Sequence, residues 1–181
     1  MSDLREKYNK EIKKELKSVL GLSNIMAVPA LKAITVNAGL GASLTNAKIM
    51  EVVLSFFTDI TGQKPVVTRA RKAISNFKIR EGMPIGAKVT LRGENMWMFF
   101  EKFVNIVVPR IKDFRGFDTK SFDGKGGYSI GIKDHTIFPE IDPNVIEKMS
   151  SFEITFQTTG KNKEETETLL RSLGLPLKKN G

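Results

Sequence analysis

The chain has 181 residues, enough for one domain with its own core and short for two. Twenty-nine Lys and Arg stand against 20 Asp and Glu, a net charge of +9, with 40% hydrophobic residues; this excludes wholesale disorder and points to an anionic partner. With no cysteine and a single histidine, His135, disulfides, thiolate nucleophiles and Cys/His metal clusters are excluded, and no apolar run approaches the roughly 20 residues of a membrane span.

The first segment mixes Asp3, Glu6, Glu11 and Glu15 with lysines and lacks the apolar middle of a signal peptide, so a soluble intracellular protein is expected. Leu4, Tyr8, Ile12, Leu16 and Leu20 recur every four residues, with Val19 beside them. They predict an amphipathic helix over 2–20, closed by Gly21. A strand is expected over 33–37, followed by a Gly39-Leu40-Gly41 turn. Thr45 or Asn46 then caps a second helix through about Thr61, with Ile49, Val52, Val53, Phe56, Phe57 and Ile60 on its apolar side. Residues 65–68 make at most a short strand, because Pro65 cannot donate to a ladder. The segment 69–86 is polar, basic and broken by Gly82-Met83-Pro84, so a long loop or loose hairpin is expected there.

Residues 87–92 alternate cleanly: Ala87, Val89 and Leu91 on one face, Lys88, Thr90 and Arg92 on the other. A third helix is expected over 94–108, ended by Pro109 and the stretch after it. Gly124, Gly126 and Gly127 predict a mobile turn ahead of a strand over 128–132. Asp142-Pro143 reads as the start of a short helical turn. A strand over 152–158 and a helix over 163–173, stopped by Gly174 and Pro176, complete the order. The pattern predicts one α+β domain: a mostly antiparallel sheet, helices packed on one face, the other face polar and free for a partner.

Charge is unevenly spread. Residues 61–92 hold eight basic side chains (Lys64, Arg69, Arg71, Lys72, Lys78, Arg80, Lys88, Arg92) against Glu81 alone, net +7. The 89 residues after them carry 13 basic and 13 acidic groups and cancel. A footprint of this kind suits a polyanion; a merely solvated positive face is the alternative.

No catalytic constellation emerges. Gly39-Leu40-Gly41 has Leu44 where a dinucleotide fingerprint needs its third glycine, and no Walker-type Gly-Lys-Ser/Thr exists. His135 beside Asp134 reads as a surface or capping residue, and Glu140, Asp142 and Glu147 as surface acids. Cofactors and metals are not expected. Lys10, Lys13, Lys14 and Lys17 of the first helix are mixed with acids and lack Trp, which argues against a membrane-surface anchor. By contrast, the basic segment interleaves its cations with Gln63, Thr68, Ser75, Asn76 and Thr90, the donors that fix register along a phosphate backbone. A polar sheet face beside a basic loop suits irregular or single-stranded RNA. Phe77, the one aromatic of that segment, is either a stacking residue or an anchor beneath the loop.

The blocks Gly62-Gln63-Lys64-Pro65, Thr68-Arg69-Ala70-Arg71-Lys72, Phe77-Lys78-Ile79-Arg80-Glu81-Gly82 and Ile85 through Gly93 closely resemble the bacterial large-subunit ribosomal protein five family, which binds 5S rRNA. So do Asp113-Phe114-Arg115-Gly116, Lys120 through Gly126, Ile137 through Ile141, Val28-Pro29 and Asn37 through Gly41, in order along the chain. The resemblance implies an RNA-binding structural protein of the large subunit, not an enzyme, holding 5S rRNA in the central protuberance among large-subunit rRNA and neighbouring proteins. By position, Asn37, Gln63 and Thr90 match residues that meet that RNA. Lys64, Lys88 and Arg92, with Arg69 and Lys72, would add backbone charge. The loop 73–84, with Ser75, Asn76, Lys78, Arg80 and Met83, matches the family loop that reaches the P-site transfer RNA. The segment 110–127, with Arg110, Asp113 and Arg115, resembles the side facing a small-subunit head protein across an inter-subunit bridge.

Overall fold

The computed structural model describes residues 2–39, 47–140 and 151–178. Leu40 and Gly41, the Thr45/Asn46 cap and the Asp142-Pro143 turn with Glu147 lie outside the described residues, as does the side chain of Ile49. Helical residues run without a break through α1 (Asp3–Lys7), a π-helical stretch (Tyr8–Ile12) and α2 (Lys13–Val19), followed by β1 (Leu31–Gly39), α3 (Ala47–Thr61), β2 (Val66–Arg69) and β3 (Pro84–Leu91). Then come α4 (Gly93–Lys102), continued by a π-helical stretch (Phe103–Val107) and a 3-10 turn (Val108–Arg110), β4 (Gly127–Ile132), β5 (Phe152–Thr158) and α5 (Lys163–Ser172). The strands form one antiparallel sheet in the order β2-β3-β1-β5-β4, and the architecture is α+β as the alternation implied.

The spacing of the apolar residues explains the two π-helical stretches. Residues four apart drift about 40° per step on a straight α-helix of 3.6 residues per turn. Tyr8, Ile12 and Leu16 are nonetheless all buried, and so are Phe99, Phe103 and Val107. A wider i→i+5 turn at Tyr8–Ile12 and at Phe103–Val107 takes up part of that drift and keeps each row facing the core. The first helix ends as expected: the Gly21 amide donates to the Ser18 carbonyl and the Leu22 amide to that of Lys17, a Schellman closure. Val19, however, is 64% exposed; one residue out of register with the four-spaced row, it leaves the core face.

Two compact units are distinguished by their internal packing. The first comprises Met1–Ile34, Arg92–Ile130 and Thr155–Gly181. In it, Tyr8 meets Trp97 with ring centroids 5.3 Å apart, and Phe156 of β5 takes Phe100 and Phe103 at 5.4 and 5.8 Å. Helix α5 carries Glu164 and Glu165 in its first turn and Arg171 in its last, charges that complement its dipole. The glycine-rich turn before β4 is closed rather than loose: Asp123 Oδ1 accepts the Lys125 and Gly127 amides at 2.7 and 2.8 Å.

The second unit comprises Thr35–Leu91 and Gly131–Ile154. Helix α3 buries Val53, Phe56, Phe57 and Ile60 on the apolar side of the sheet, where Ala87 and Val89 of β3 and Val36 and Ala38 of β1 are also buried. His135 departs from the surface role its neighbours suggested. It is 7% exposed, with its ring 5.9 Å from Phe56 and 5.6 Å from Phe152, so it packs within an aromatic cluster. Strand β3 begins at Pro84 rather than Ala87, because β2 pairs with it that far back.

Candidate nucleic-acid interface

The sheet face away from α3 is built by strand alternation. In β3, Ala87, Val89 and Leu91 are buried, whereas Lys88 is exposed and Thr90 half-buried. The register sets Val66 opposite Lys88, Val67 opposite Ala87 and Thr68 opposite Gly86, and it slips before the Arg69–Pro84 pair. Directly opposed residues share a face, so Val66 and Thr68 join Lys88 and Thr90 on the open side. Strand β1 flanks β3 on its other edge and offers Thr35 and Asn37, half-buried between buried neighbours. Gly86 permits this close assembly. A Cβ there would collide with the Ala38 carbonyl oxygen and meet Thr68 Oγ1 at 3.0 Å.

Gln63 and Lys64, in the turn between α3 and β2, are exposed at the end of β3, and Gln63 Nε2 donates to the Thr90 carbonyl at 3.4 Å. Arg92, just past β3, keeps an extended backbone (φ −141°, ψ 167°) and an exposed side chain.

The loop between β2 and β3 is an ordered hairpin. At its neck the Ala70 amide donates to the Met83 carbonyl and the Gly82 amide to the Ala70 carbonyl, both at 2.9 Å; Arg69 Nη1 also reaches the Gly82 carbonyl at 2.9 Å. At its tip Ile74 and Ile79 exchange amide–carbonyl hydrogen bonds at 2.9 and 3.1 Å around a 3-10 turn, Ser75–Phe77, with Lys78 left-handed at φ 53°. Ser75, Asn76, Lys78 and Arg80 are exposed. Met83 is half-buried and its sulfur accepts the Arg80 amide at 3.1 Å, so it braces the loop. Phe77 is 71% exposed and anchors nothing beneath it.

Electrostatically the segment is uncompensated. All eight cations of residues 61–92 are exposed, and none pairs with a described carboxylate. The ion pairs among described residues lie elsewhere: Arg5–Glu94, Lys10–Glu6 and Arg171–Glu167. Cations and hydroxyl or amide donors on a shallow sheet and an adjoining hairpin can neutralise phosphates and fix their register, whereas no three His, Asp or Glu side chains among the described residues gather as metal ligands. Thr35, Val66 and Gly86 were not singled out as site residues from the sequence. Two-residue periodicity carried back from Asn37 finds Thr35, but Val66 needs the β2–β3 register.

Arg110, at the end of the 3-10 turn that closes the fourth helix, and Asp113 and Arg115 beyond it lie in the other unit and are all exposed. Their segment is pinned at Phe117, whose amide donates to the Pro176 carbonyl and whose carbonyl accepts from Lys178, and Phe117 packs on Phe114 at 4.8 Å.

Residues 24–80 match the family model described as ribosomal protein L5, and residues 84–177 match the model of the C-terminal part of the same ribosomal family. The chain is 50% identical over 175 residues to the large ribosomal subunit protein uL5 of Anaeromyxobacter sp. (strain Fw109-5), covering 97% of each chain. It is 51% identical over 176 residues to that of Halothermothrix orenii, covering 97% of this chain and 98% of the relative. With both family models matched in order around the hairpin that carries the unpaired cations, the chain belongs to the ribosomal protein L5 family, whose members are structural proteins and not enzymes.

Proposed function

We propose that the chain is a structural constituent of the large ribosomal subunit in the cytoplasm, one RNA-binding domain that anchors 5S rRNA in the central protuberance. In this reading the open sheet face, with Asn37, Gln63, Lys64, Lys88, Thr90 and Arg92, takes the 5S rRNA, and Arg69 and Lys72 extend it with backbone charge. Ser75, Asn76, Lys78, Arg80 and Met83 carry the hairpin toward P-site transfer RNA. Arg110, Asp113 and Arg115 face a small-subunit head protein, while large-subunit rRNA and neighbouring proteins surround the rest.

One observation carries it: eight exposed cations in 32 consecutive residues, none paired with a described carboxylate, beside a hydroxyl- and amide-bearing sheet face. Like charges gathered without counter-charges cost the fold free energy that a polyanion relieves. The relatives' name, large ribosomal subunit protein, supports the same assignment. Filter binding across salt, with 5S rRNA, transfer RNA and anionic vesicles side by side, tests it. The expected result is preference for 5S rRNA with a log–log salt slope of about −0.7 per neutralised single-strand phosphate, made shallower by Lys88→Ala. Vesicle binding without RNA preference would replace this reading with a membrane-surface one.

A further inference from the structure

Met83 closes the neck of the β2–β3 hairpin through three hydrogen bonds, and one of them runs through its sulfur. Its amide donates to the Arg80 carbonyl at 3.2 Å, and its carbonyl accepts the Ala70 amide at 2.9 Å. Its Sδ accepts the Arg80 amide at 3.1 Å, so residues 80 and 83 are joined reciprocally, once by backbone and once by thioether. The side chain is half-buried, within reach of solvent. Met26 and Met98, 79% and 59% exposed, have no hydrogen bond at sulfur among the described residues, whereas Met96 is 3% exposed in the core. The chain therefore holds thioethers in three settings: free, hydrogen-bonded and buried.

A thioether sulfur carries two lone pairs, on opposite sides of its C–S–C plane, and either can take up an oxygen atom. With a peroxide as oxidant, the lone pair forms the S–O bond, the O–O bond breaks and water leaves. Sulfur becomes a stereocentre, and the epimer records which lone pair reacted. At Met83 the lone pair turned toward the Arg80 amide is engaged and screened by that N–H. We propose that Met83 is a stereoselective oxidation site, attacked by peroxide on the lone pair facing away from the Arg80 amide, and that its sulfoxide opens the closure between residues 80 and 83. The oxidised sulfur is electron-poor, so its remaining lone pair is a worse acceptor than the already weak one of a thioether. The new oxygen points to the opposite side, and the Arg80 N–H is left without its partner. An apolar side chain that fitted a half-buried site also becomes polar there. None of this depends on the RNA-binding reading above, because it concerns bonds within the hairpin alone.

The test uses the full chain carrying Met26→Leu and Met98→Leu, which removes the two exposed, unbonded thioethers. Hydrogen peroxide is the oxidant, and peptide mass spectrometry follows the added oxygen at Met83. The two epimer-specific methionine sulfoxide reductases then assign the epimer, since each reduces only one. The folded chain should give one epimer in several-fold excess, and the urea-unfolded chain equal amounts of both. Exchange of the Arg80 amide, followed by NMR, should speed up roughly 3- to 10-fold on oxidation, the worth of one hydrogen bond, and slow again after enzymatic reduction. Met83→Leu, with similar bulk and no acceptor, should show that faster exchange with no peroxide added. Circular dichroism recorded on the same samples ties the change to the neck rather than to unfolding. Equal epimers from the folded chain, no oxygen taken up at Met83, or Arg80 exchange that oxidation leaves unchanged would each overturn the proposal.

Discussion

Val89 and Thr90 are adjacent in β3, one 2% exposed in the core and the other half-buried on the open face. Thr90→Ala and Gln63→Ala should each weaken 5S rRNA binding about 2- to 10-fold, the worth of one hydrogen bond, with little change in melting temperature. Val89→Ala should do the opposite: about 1–3 kcal/mol less stable in urea, with the RNA affinity of the folded fraction retained. If the two positions exchange phenotypes, the strand faces are reversed. Gly86 belongs to both classes, because an added methyl strikes the Ala38 carbonyl of the neighbouring strand as well as Thr68. Gly86→Ala should therefore destabilise by roughly 1–3 kcal/mol and weaken RNA binding together, read by urea denaturation and filter binding on the same sample. The face of Lys88, Thr90 and Arg92 was legible from alternation alone. The obligate glycine at 86 was not, since what makes it necessary is a carbonyl 48 residues away in the chain.

Among the elements, helix ends were the most legible in sequence. Gly21 and Gly174 were both read as stops, and each closes a Schellman motif; after α5 the Gly174 amide donates to Arg171 and the Leu175 amide to Leu170, both at 2.9 Å. Gly174 has φ 95°, and a Cβ there would also touch Val104 Cγ1 at 3.4 Å. Gly174→Ala should cost about 1–2 kcal/mol, and hydrogen exchange should speed up at the Leu173 and Leu175 amides before the rest of the chain responds. The basic segment shows where such reading stops. Its polarity and its Gly-Met-Pro break leave a long loop and a loose hairpin equally open; it is a hairpin hydrogen-bonded at neck and tip, because backbone groups bond without regard to side-chain polarity. The same cause sends Phe77 outward: a composition count registers an aromatic residue and says nothing of the turn that carries it.

For the molecule as a whole, alkaline pH is a sharp probe. The chain has two tyrosines, Tyr8 and Tyr128, at 5% and 1% exposure, with hydroxyls donating to the carbonyls of Pro29 and Asp118 at 2.9 Å. Burial pushes both phenols above their ordinary value, and for Tyr128 the charges of Asp118 and Glu167 push further the same way. A folded-state pKa raised above the unfolded one means that the stabilisation is complete below about pH 10 and is lost as pH climbs past it. Tyrosinate absorbance should accordingly show no ordinary phenol titration near pH 10; both rings should ionise at higher pH, together with the loss of circular dichroism. A phenol that titrates near 10 in the folded chain would place that ring at the surface. His135 shows the same limit from the other side: beside Asp134 it reads as surface, but α3 and β5 bring Phe56 and Phe152 over the imidazole.

By itself the sequence determined the α+β order of elements, the strand faces and the place of the charge, because alternation, glycine stops and local charge density act over a few residues. Only the tertiary structure decided that the cations stand free of described acids, that the basic loop is a closed hairpin and that Phe77 leaves the core while His135 enters it. Each of those depends on which distant backbone and side-chain groups arrive next to a residue, and one-dimensional pattern carries no record of that.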